Sequence, residues 1–506
     1  MNMQPIVDVS TMRASDAATI AGGVTGRELM CRAAKGVYES YPWQGKTAIV
    51  CGSGNNAGDG YALALLLQKG GIACTVVRMS ESLSPDGAFY LEQCKQNEIE
   101  ICRYTTETDF SEYTEIVDCI LGTGFRGEVQ GHIKEVIEKI NQSGKTVISV
   151  DINSGLNGDS GIASVCVHSD LTVSIGFLKS GLLLNQAKDV IGRLVNVDIG
   201  IGLVGNCRYL TEVKDFAEIL KPRLQDSHKG IYGYVSILGG CAEYAGAVKL
   251  ANLSCAALRA GCGVAQLIVA QSLADAVSPY LLESTLSLLP DQNGHILFDK
   301  TQLDRVLAKQ AALAVGMGWG SSPENLKILE YILRHYKGRV LIDADGLNTL
   351  AQMEHSVLKQ KACQVILTPH LKEMERLCGT PIDDIRRDPV GISERFAREF
   401  GVVVLLKGAC TVVTDGKTTY FVNRGCAGMA TAGSGDVLSG ILLGLLGASP
   451  ATPLTAACGA FIAGLAGELA ERSINPISML ASDTVAHVAQ AISLMLDECF
   501  KNNGLS

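Results

Sequence analysis

Short runs rich in Val, Ile and Leu recur along this chain, each closing on a glycine turn that leads into a helical stretch. In the first half, strands are expected over residues 47–51, 73–78, 115–121, 146–151, 171–175 and 194–198, with helices over 58–69 and 133–142. Residues 1–45 read as helical and amphipathic, with Met12, Ala17, Ile20, Leu29 and Met30 as candidate core positions. A second series begins at Tyr234, with strands over 234–239, 265–270, 311–315, 339–343, 365–368 and 402–406 and a helix over 246–260. Residues 411–414 and 419–422 flank Asp415-Gly416, a hairpin signal, and further helices start at Gly435 and Leu454. Strands alternating with helices pack as a mostly parallel sheet covered on both faces. The chain turns polar around Thr211 to Asp226, so two α/β domains are expected, residues 1–215 and 216–506.

Composition removes several function classes. A formal charge of −9 argues against a nucleic-acid-binding surface as the main function. The 17 cysteines include no C-x-x-C pair and lie scattered in apolar runs, as at Cys74 and Cys262. That pattern suits reduced, buried thiols rather than a disulfide frame or a zinc site. The first thirty residues lack the apolar core of a signal peptide, and the longest apolar run, 440–448, is too short to span a bilayer. The expectation is a cytoplasmic protein without membrane or nucleic-acid partners.

In a parallel sheet, ligands bind beyond the carboxyl ends of the strands. Three first-half loops fall there: Gly52-Ser-Gly-Asn-Asn-Ala-Gly-Asp-Gly60, Asp118-Cys-Ile-Leu-Gly-Thr-Gly-Phe-Arg-Gly127 and Val150-Asp-Ile-Asn-Ser-Gly155. The glycines permit close approach of a phosphate. Asn55, Asn56 and Asp59 offer polar contacts, and Asp151, at a strand end, can face the crevice. Asn56, Asp118 and Ser154 offer oxygens without Cys or His, a set suited to a hard cation. Gly52-x-Gly54-x-x-Ala57 also matches a dinucleotide fingerprint, but the Asn pair and Asp59 inside the turn are not what a bare pyrophosphate cradle requires. With Thr172-Val-Ser-Ile-Gly-Phe-Leu-Lys179, these loops resemble the YjeF N-terminal family, the epimerases of hydrated NAD(P)H (NAD(P)HX), over about Met12 to Val204. The resemblance implies a Rossmann-like three-layer sandwich. It implies that Asn55, Asn56, Ala57, Gly58 and Asp59, with Gly122, Thr123, Gly124, Phe125, Arg126, Gly127 and Glu128, hold the nucleotide. It further implies potassium on Asn56, Asp118 and Ser154, and Asp151 as the acid/base. Ala57 stands where the family usually has Gly, and Asn153 where it usually has Pro; an Ala57 at positive φ would be strained.

In the second half, Ala432-Gly433-Ser434-Gly435-Asp436 opens directly into an apolar helix. Small residues let backbone N–H groups converge, and the helix N-terminus adds its positive end, which suits a phosphate or a developing oxyanion. Asp436 repels a phosphate, yet it makes sense as the base for a hydroxyl attacking one; the plainer reading is a helix cap. Glu243-Tyr-Ala-Gly-Ala247, Gly316-Met-Gly-Trp-Gly320, Asp343-Ala-Asp-Gly346, Thr368-Pro-His370 and Lys407-Gly-Ala-Cys-Thr411 follow strands or open helices in the same half. In this order they resemble the ribokinase superfamily, and within it the ADP- or ATP-dependent NAD(P)HX dehydratases, over about Gly230 to Leu494. The resemblance implies a ribokinase-like three-layer α/β/α domain. It implies that Ala247, Gly318, His370 and Asp436 contact the hydrated nicotinamide nucleotide, while Lys407, Gly408, Ala409, Cys410, Thr411 and Gly435 hold the adenine nucleotide. Ala432 replaces a usual Gly, and Trp319 is placed to stack on a ring.

Together the two resemblances imply a bifunctional repair enzyme for NADHX and NADPHX. The first domain would interconvert the R and S epimers. The second would phosphorylate the 6-hydroxyl of the S form and expel phosphate, with magnesium and ADP, or ATP, as phosphoryl donor; ADP would end as AMP. A homo-oligomer is expected. Three rival readings are a vitamin-precursor kinase, a non-catalytic ligand-binding first half, and an NAD-dependent dehydrogenase.

Overall fold

Seven parallel strands form the centre of the first half, ordered Glu100–Arg103, Cys74–Arg78, Thr47–Cys51, Glu115–Cys119, Thr146–Val150, Ser169–Ile175 and Ile191–Val197. The computed structural model describes residues 3–253 and 259–500. The chain divides into two compact units, Pro5–Arg208 and Tyr209–Ser506 with Met1–Gln4. Thr47–Cys51 and Glu115–Cys119 are buried at every position, as a sheet covered on both faces requires. On one face, Leu29, Val37, Leu63, Leu67 and Leu91 from helices Gly26–Ser40, Asn55–Lys69 and Pro85–Gln96 pack with Ile49, Val117 and Ile148. On the other, Val136, Ile137 and Ile140 of helix Gly131–Gln142 pack with Val50, Ile116 and Val147. Strand order reverses between Thr47–Cys51 and Glu115–Cys119, which opens a crevice beyond their carboxyl ends.

The N-terminal stretch departs from the helical expectation. Gln4–Val7 is a strand whose Ile6 and Val7 pair in parallel with Leu178 and Lys179. Helices Val9–Ala21 and Gly26–Ser40 follow, the second with Thr25 as its cap. Leu29 and Met30 are buried, but Ala17 and Ile20 are exposed and are not core. Ala57 lies inside the first turn of its helix with no positive φ, so no strain arises there.

The second unit repeats the same winding. Thr285–Leu289, Val264–Ala270, Tyr234–Leu238, Ala312–Val315, Arg339–Ile342, Gln364–Leu367 and Val403–Leu406 lie side by side and parallel. Antiparallel Thr411–Thr414 and Thr419–Val422 extend the sheet. Helices Ser434–Leu446, Pro453–Ser473 and Ala481–Phe500 pack together against it, and a second set includes Leu371–Cys378 and Pro389–Phe400. The expected helix over 246–260 is formed over Ala245–Asn252; residues 254–258 lie outside the described residues. Pro453–Ser473 is long and apolar enough to cross a membrane, but 83% of its apolar window is buried within the protein. Among the described residues every cysteine is free, and Cys31 and Cys102 are exposed rather than buried as expected.

Candidate functional sites

The three first-half loops meet. Ser53 to Asn56 and Asp59, Ile120 to Phe125, and Asp151 line one cavity of about 500 Å³, closed by Met12, Arg13 and Asp16 of the first helix. Of the expected nucleotide-binding residues, Asn55, Asn56, Asp59, Gly122, Thr123, Gly124 and Phe125 line it; Ala57, Gly58, Arg126, Gly127 and Glu128 do not. Asp118 is fully buried behind the wall. Its Oδ2 accepts from Ser154 N at 2.8 Å and Ser149 Oγ at 2.9 Å, and its Oδ1 accepts from Ser154 Oγ and Ile120 N. Burial pushes its carboxyl up, against these hydrogen bonds, which pull it down. Asn56 Nδ2 donates to Leu121 O at 3.1 Å, while Asn56 Oδ1 is buried without a partner among the described residues. A buried acceptor left unpaired is costly, and a hard cation beside it satisfies it.

Asp151 follows strand Thr146–Val150 with φ 67°, which bulky residues rarely adopt. Its carboxylate pairs with Lys179, a wholly buried ammonium that also donates to Ile175 O at 2.9 Å and Ser174 Oγ at 3.2 Å. Lys179 and Asp16 were not singled out as site residues from sequence. A lysine closing the apolar run Ile175-Gly-Phe-Leu was the available signal for the first. Asp16 carried none, because its helix was read for its apolar face. Burial, then Asp151, push the Asp16 carboxyl up; burial, Asp151 and Asp16 push Asp59 well above the usual carboxylate range, against Lys179.

In the second unit, helix Ser434–Leu446 begins after Gly433, whose φ of 94° only glycine holds without strain. Gly433 occupies the cap position; Asp436, two residues into the helix beyond Ser434, makes no hydrogen bond among the described residues, so the helix-cap reading fails. A Cβ on Gly435 would lie 3.6 Å from both Asp343 Oδ2 and Lys407 Nζ. Lys407 pairs with Asp343 at 2.9 Å and Glu373 at 3.6 Å, and Ser439 Oγ donates to Asp343 Oδ2 at 2.7 Å. Burial alone would raise Asp343, but Lys407 and these hydrogen bonds hold it below the usual carboxylate range. Burial, with Asp343, pushes Asp436 up to about 7, opposed by Lys407. A half-buried carboxyl tuned near neutrality suits a general base.

His370 caps helix Leu371–Cys378: its Nδ1 accepts from Lys372 N at 3.1 Å and Glu373 N at 3.2 Å, and Glu373 Oε2 accepts from His370 N at 2.8 Å. A ring whose Nδ1 accepts carries its proton on Nε2, so neutral His370 is a donor there. Burial and Lys407 lower its pKa, which favours that neutral form. Gly318, at φ 56°, lies against Ala247; a Cβ on it would come within 2.9 Å of the Ala247 Cβ. Lys407 leads into the turn Gly408-Ala409-Cys410-Thr411, where the Cys410 side chain is buried and Gly408 and Ala409 are exposed. Trp319 is 1% exposed and packs in the core, so it is not open to stack on a ligand ring as expected.

The family described as NAD(P)H-hydrate dehydratase matches residues 235–489, and the family described as YjeF-related protein N-terminus matches residues 26–181. The chain is similar to a bifunctional NAD(P)H-hydrate repair enzyme from Moorella thermoacetica, 35% identical over 457 residues, 86% of this chain and 85% of that one. It is similar to another of that name from Coxiella burnetii, 31% identical over 482 residues, 93% of this chain and 95% of that one. The crystal structure of a hypothetical protein from Streptococcus mutans aligns with a TM-score of 0.50 at 22% identity, covering 56% of this chain and 99% of that one; it shares the fold.

Proposed function

Because the chain belongs to the family of bifunctional NAD(P)H-hydrate repair enzymes, we propose that it returns both epimers of hydrated NADH and NADPH to the reduced coenzymes in the cytoplasm. Residues 1–215 epimerise the substrate at C6, and residues 216–506 dehydrate the S form. The observation that carries the second step is Asp436, raised to about 7 beside Gly435 and Lys407 at a helix N-terminus.

A ring hydroxyl leaves poorly, so dehydration begins with its phosphorylation. The substrate oxygen attacks the terminal phosphorus of ADP or ATP, the bond to the nucleotide breaks, and Asp436 accepts the hydroxyl proton. The N–H groups of Gly433 to Gly435 and the helix end stabilise the charge on the transferring oxygens. Phosphate then departs from C6 with the C–O bond pair as the C5 proton passes to solvent, restoring the C5–C6 double bond; ADP ends as AMP. Lys407 through Thr411 and Gly435 hold the adenine nucleotide. Ala247, Gly318 and His370 hold the substrate, His370 as an Nε2 donor.

Among the described residues no three His, Cys, Asp or Glu side chains form a metal cage, and Lys407 already occupies Asp343 and Glu373. Magnesium would therefore be held chiefly by the bound nucleotide and would supply neutralisation of phosphate charge. In the first domain the unpaired Asn56 Oδ1, with Asp118 and Ser154, would hold potassium, which would fix the loop and offset ligand charge. Asp151, held by Lys179, serves as the acid/base at C6. The test is to incubate the purified protein with NADHX epimers, magnesium and ADP or ATP, following the absorbance of restored NADH. Both epimers should be consumed. A stable phosphorylated product without NADH would instead make the second domain a small-molecule kinase.

A further inference from the structure

Resting on the epimerase reading above, we infer that Asp59 is the second proton-transfer group of that reaction, working opposite Asp151. The C6 hydroxyl sits on a carbon bonded to the ring nitrogen. Inverting that carbon requires the C6–O bond to break and reform on the other face. Leaving is assisted by a proton delivered to the departing oxygen, and return by a proton taken from the incoming water. One carboxylate fixed on one side of the ring serves a single face. The cavity wall carries four carboxylates, Asp16, Asp59, Asp86 and Asp151, of which Asp86 is paired with Arg27; Asp59, on the second turn of helix Asn55–Lys69, and Asp151, beyond strand Thr146–Val150, stand on separate elements.

Their surroundings differ in the way an acid and a base require. Asp151 is paired with the buried ammonium of Lys179, which holds its carboxylate in place. Asp59 has no hydrogen bond among the described residues. The charged or titratable groups facing Asp59 are Asp16 on the first helix, Asp151 and Lys179, with the Cys51 and Cys119 thiols behind it. Two of these are carboxylates, and burial with that repulsion raises Asp59 well above the usual range, a shift that favours its protonated form.

In one direction, the nitrogen lone pair forms an N1–C6 double bond as the C6–O bond breaks, and Asp59 protonates the hydroxyl, which leaves as water. A second water adds to the opposite face of C6, the π pair returns to nitrogen, and Asp151 takes the proton. The reverse direction exchanges the two roles, and solvent in the open cavity re-equilibrates the protons. Lys179 is a positioning residue that acts through Asp151.

The experiment follows interconversion of R- and S-NADHX by wild-type protein, without nucleotide, across pH and in heavy-oxygen water. Wild-type kcat/KM should fall at alkaline pH as Asp59 loses its proton, and each inversion should place one solvent oxygen at C6. Asp59→Asn should lose at least about 10²-fold in interconversion and its alkaline limb, while dehydration of S-NADHX by the same preparation stays at the wild-type rate, which also reports an intact chain. Asp59→Glu should keep a displaced limb. Lys179→Met should lower kcat for interconversion with little change in KM, and Lys179→Arg should restore part of the rate. A wild-type profile without an alkaline limb, retention of the original oxygen, an Asp59→Asn rate within about threefold of wild type, or transfer of the whole loss to Asp16→Asn would each overturn the assignment. Absence of any wild-type interconversion would overturn the epimerase reading itself.

Discussion

At the scale of single residues, the second site turns on whether Asp436 is a base. A base works ionised, so with a carboxyl at about 7 in the free enzyme, kcat/KM for dehydration should rise through that pH and be fully present above it. Asp436→Asn should bind ADP nearly as tightly as wild type yet lose at least about 10²-fold in dehydration and its pH dependence, with epimerisation unchanged. Near-wild-type turnover would remove Asp436 from proton transfer. Asp436 drew notice in sequence because a carboxylate in a run of small residues opening a helix is chemically out of place beside a phosphate. Lys179 was not legible as Asp151's partner, because the pair joins residues 28 positions apart through the turn that follows strand Ser169–Ile175, a reversal that residue pattern alone does not aim. Trp319 was misjudged for a related reason: a glycine turn gives no sign of which way its bulky residue faces.

At the scale of elements, runs of Val, Ile and Leu between glycine turns identified the central strands, since strands covered on both faces are apolar throughout. Edges were harder to read. Glu100–Arg103 has charged residues at both ends of a mostly exposed margin, and Gln4–Val7, although not an outermost strand, contains Pro5, which argues against a strand. Helix Pro85–Gln96 opens on Ser84-Pro85, a pair that reads equally as a turn or as a helix start, and the structure selects the second. The entry to helix Ser434–Leu446 yields a sharper expectation. Gly433→Ala would force an L residue to φ 94° with its Cβ against Leu250 and Ala481. It should cost at least ~1 kcal/mol, lower the melting temperature, and weaken ADP binding by tilting the N–H groups at the helix start. An unchanged melting curve and affinity would mean that the turn relaxes freely.

At the scale of the whole molecule, each candidate site is built from residues of a single unit, so the two activities should separate. Asp151→Ala should abolish R-to-S conversion yet dehydrate pure S-NADHX at the wild-type rate. Mixed with Asp436→Asn, it should restore complete conversion of R-NADHX, because the epimerised product can diffuse from one protein to the other. Failure of the mixture while both single activities persist would show that the intermediate is not released. Asn153, where the resemblance to the YjeF N-terminal family leads one to expect proline, is bound into its surroundings. Its Nδ2 donates to Val167 O, Ser169 Oγ and Val190 O at 2.8, 3.0 and 3.1 Å, and its Oδ1 accepts from Thr172 Oγ1 at 2.6 Å, all within the core. Asn153→Pro would strip four partners at once and should lower stability by at least ~2 kcal/mol in denaturant titration. Paired changes such as Ser169→Ala with Thr172→Val should recover part of that loss. Position 153 is therefore tied to its surroundings as a keystone is to an arch: a replacement there disturbs Ser169, Thr172 and the carbonyls of Val167 and Val190 together, and is tolerated only as the polar cluster around it is exchanged with it.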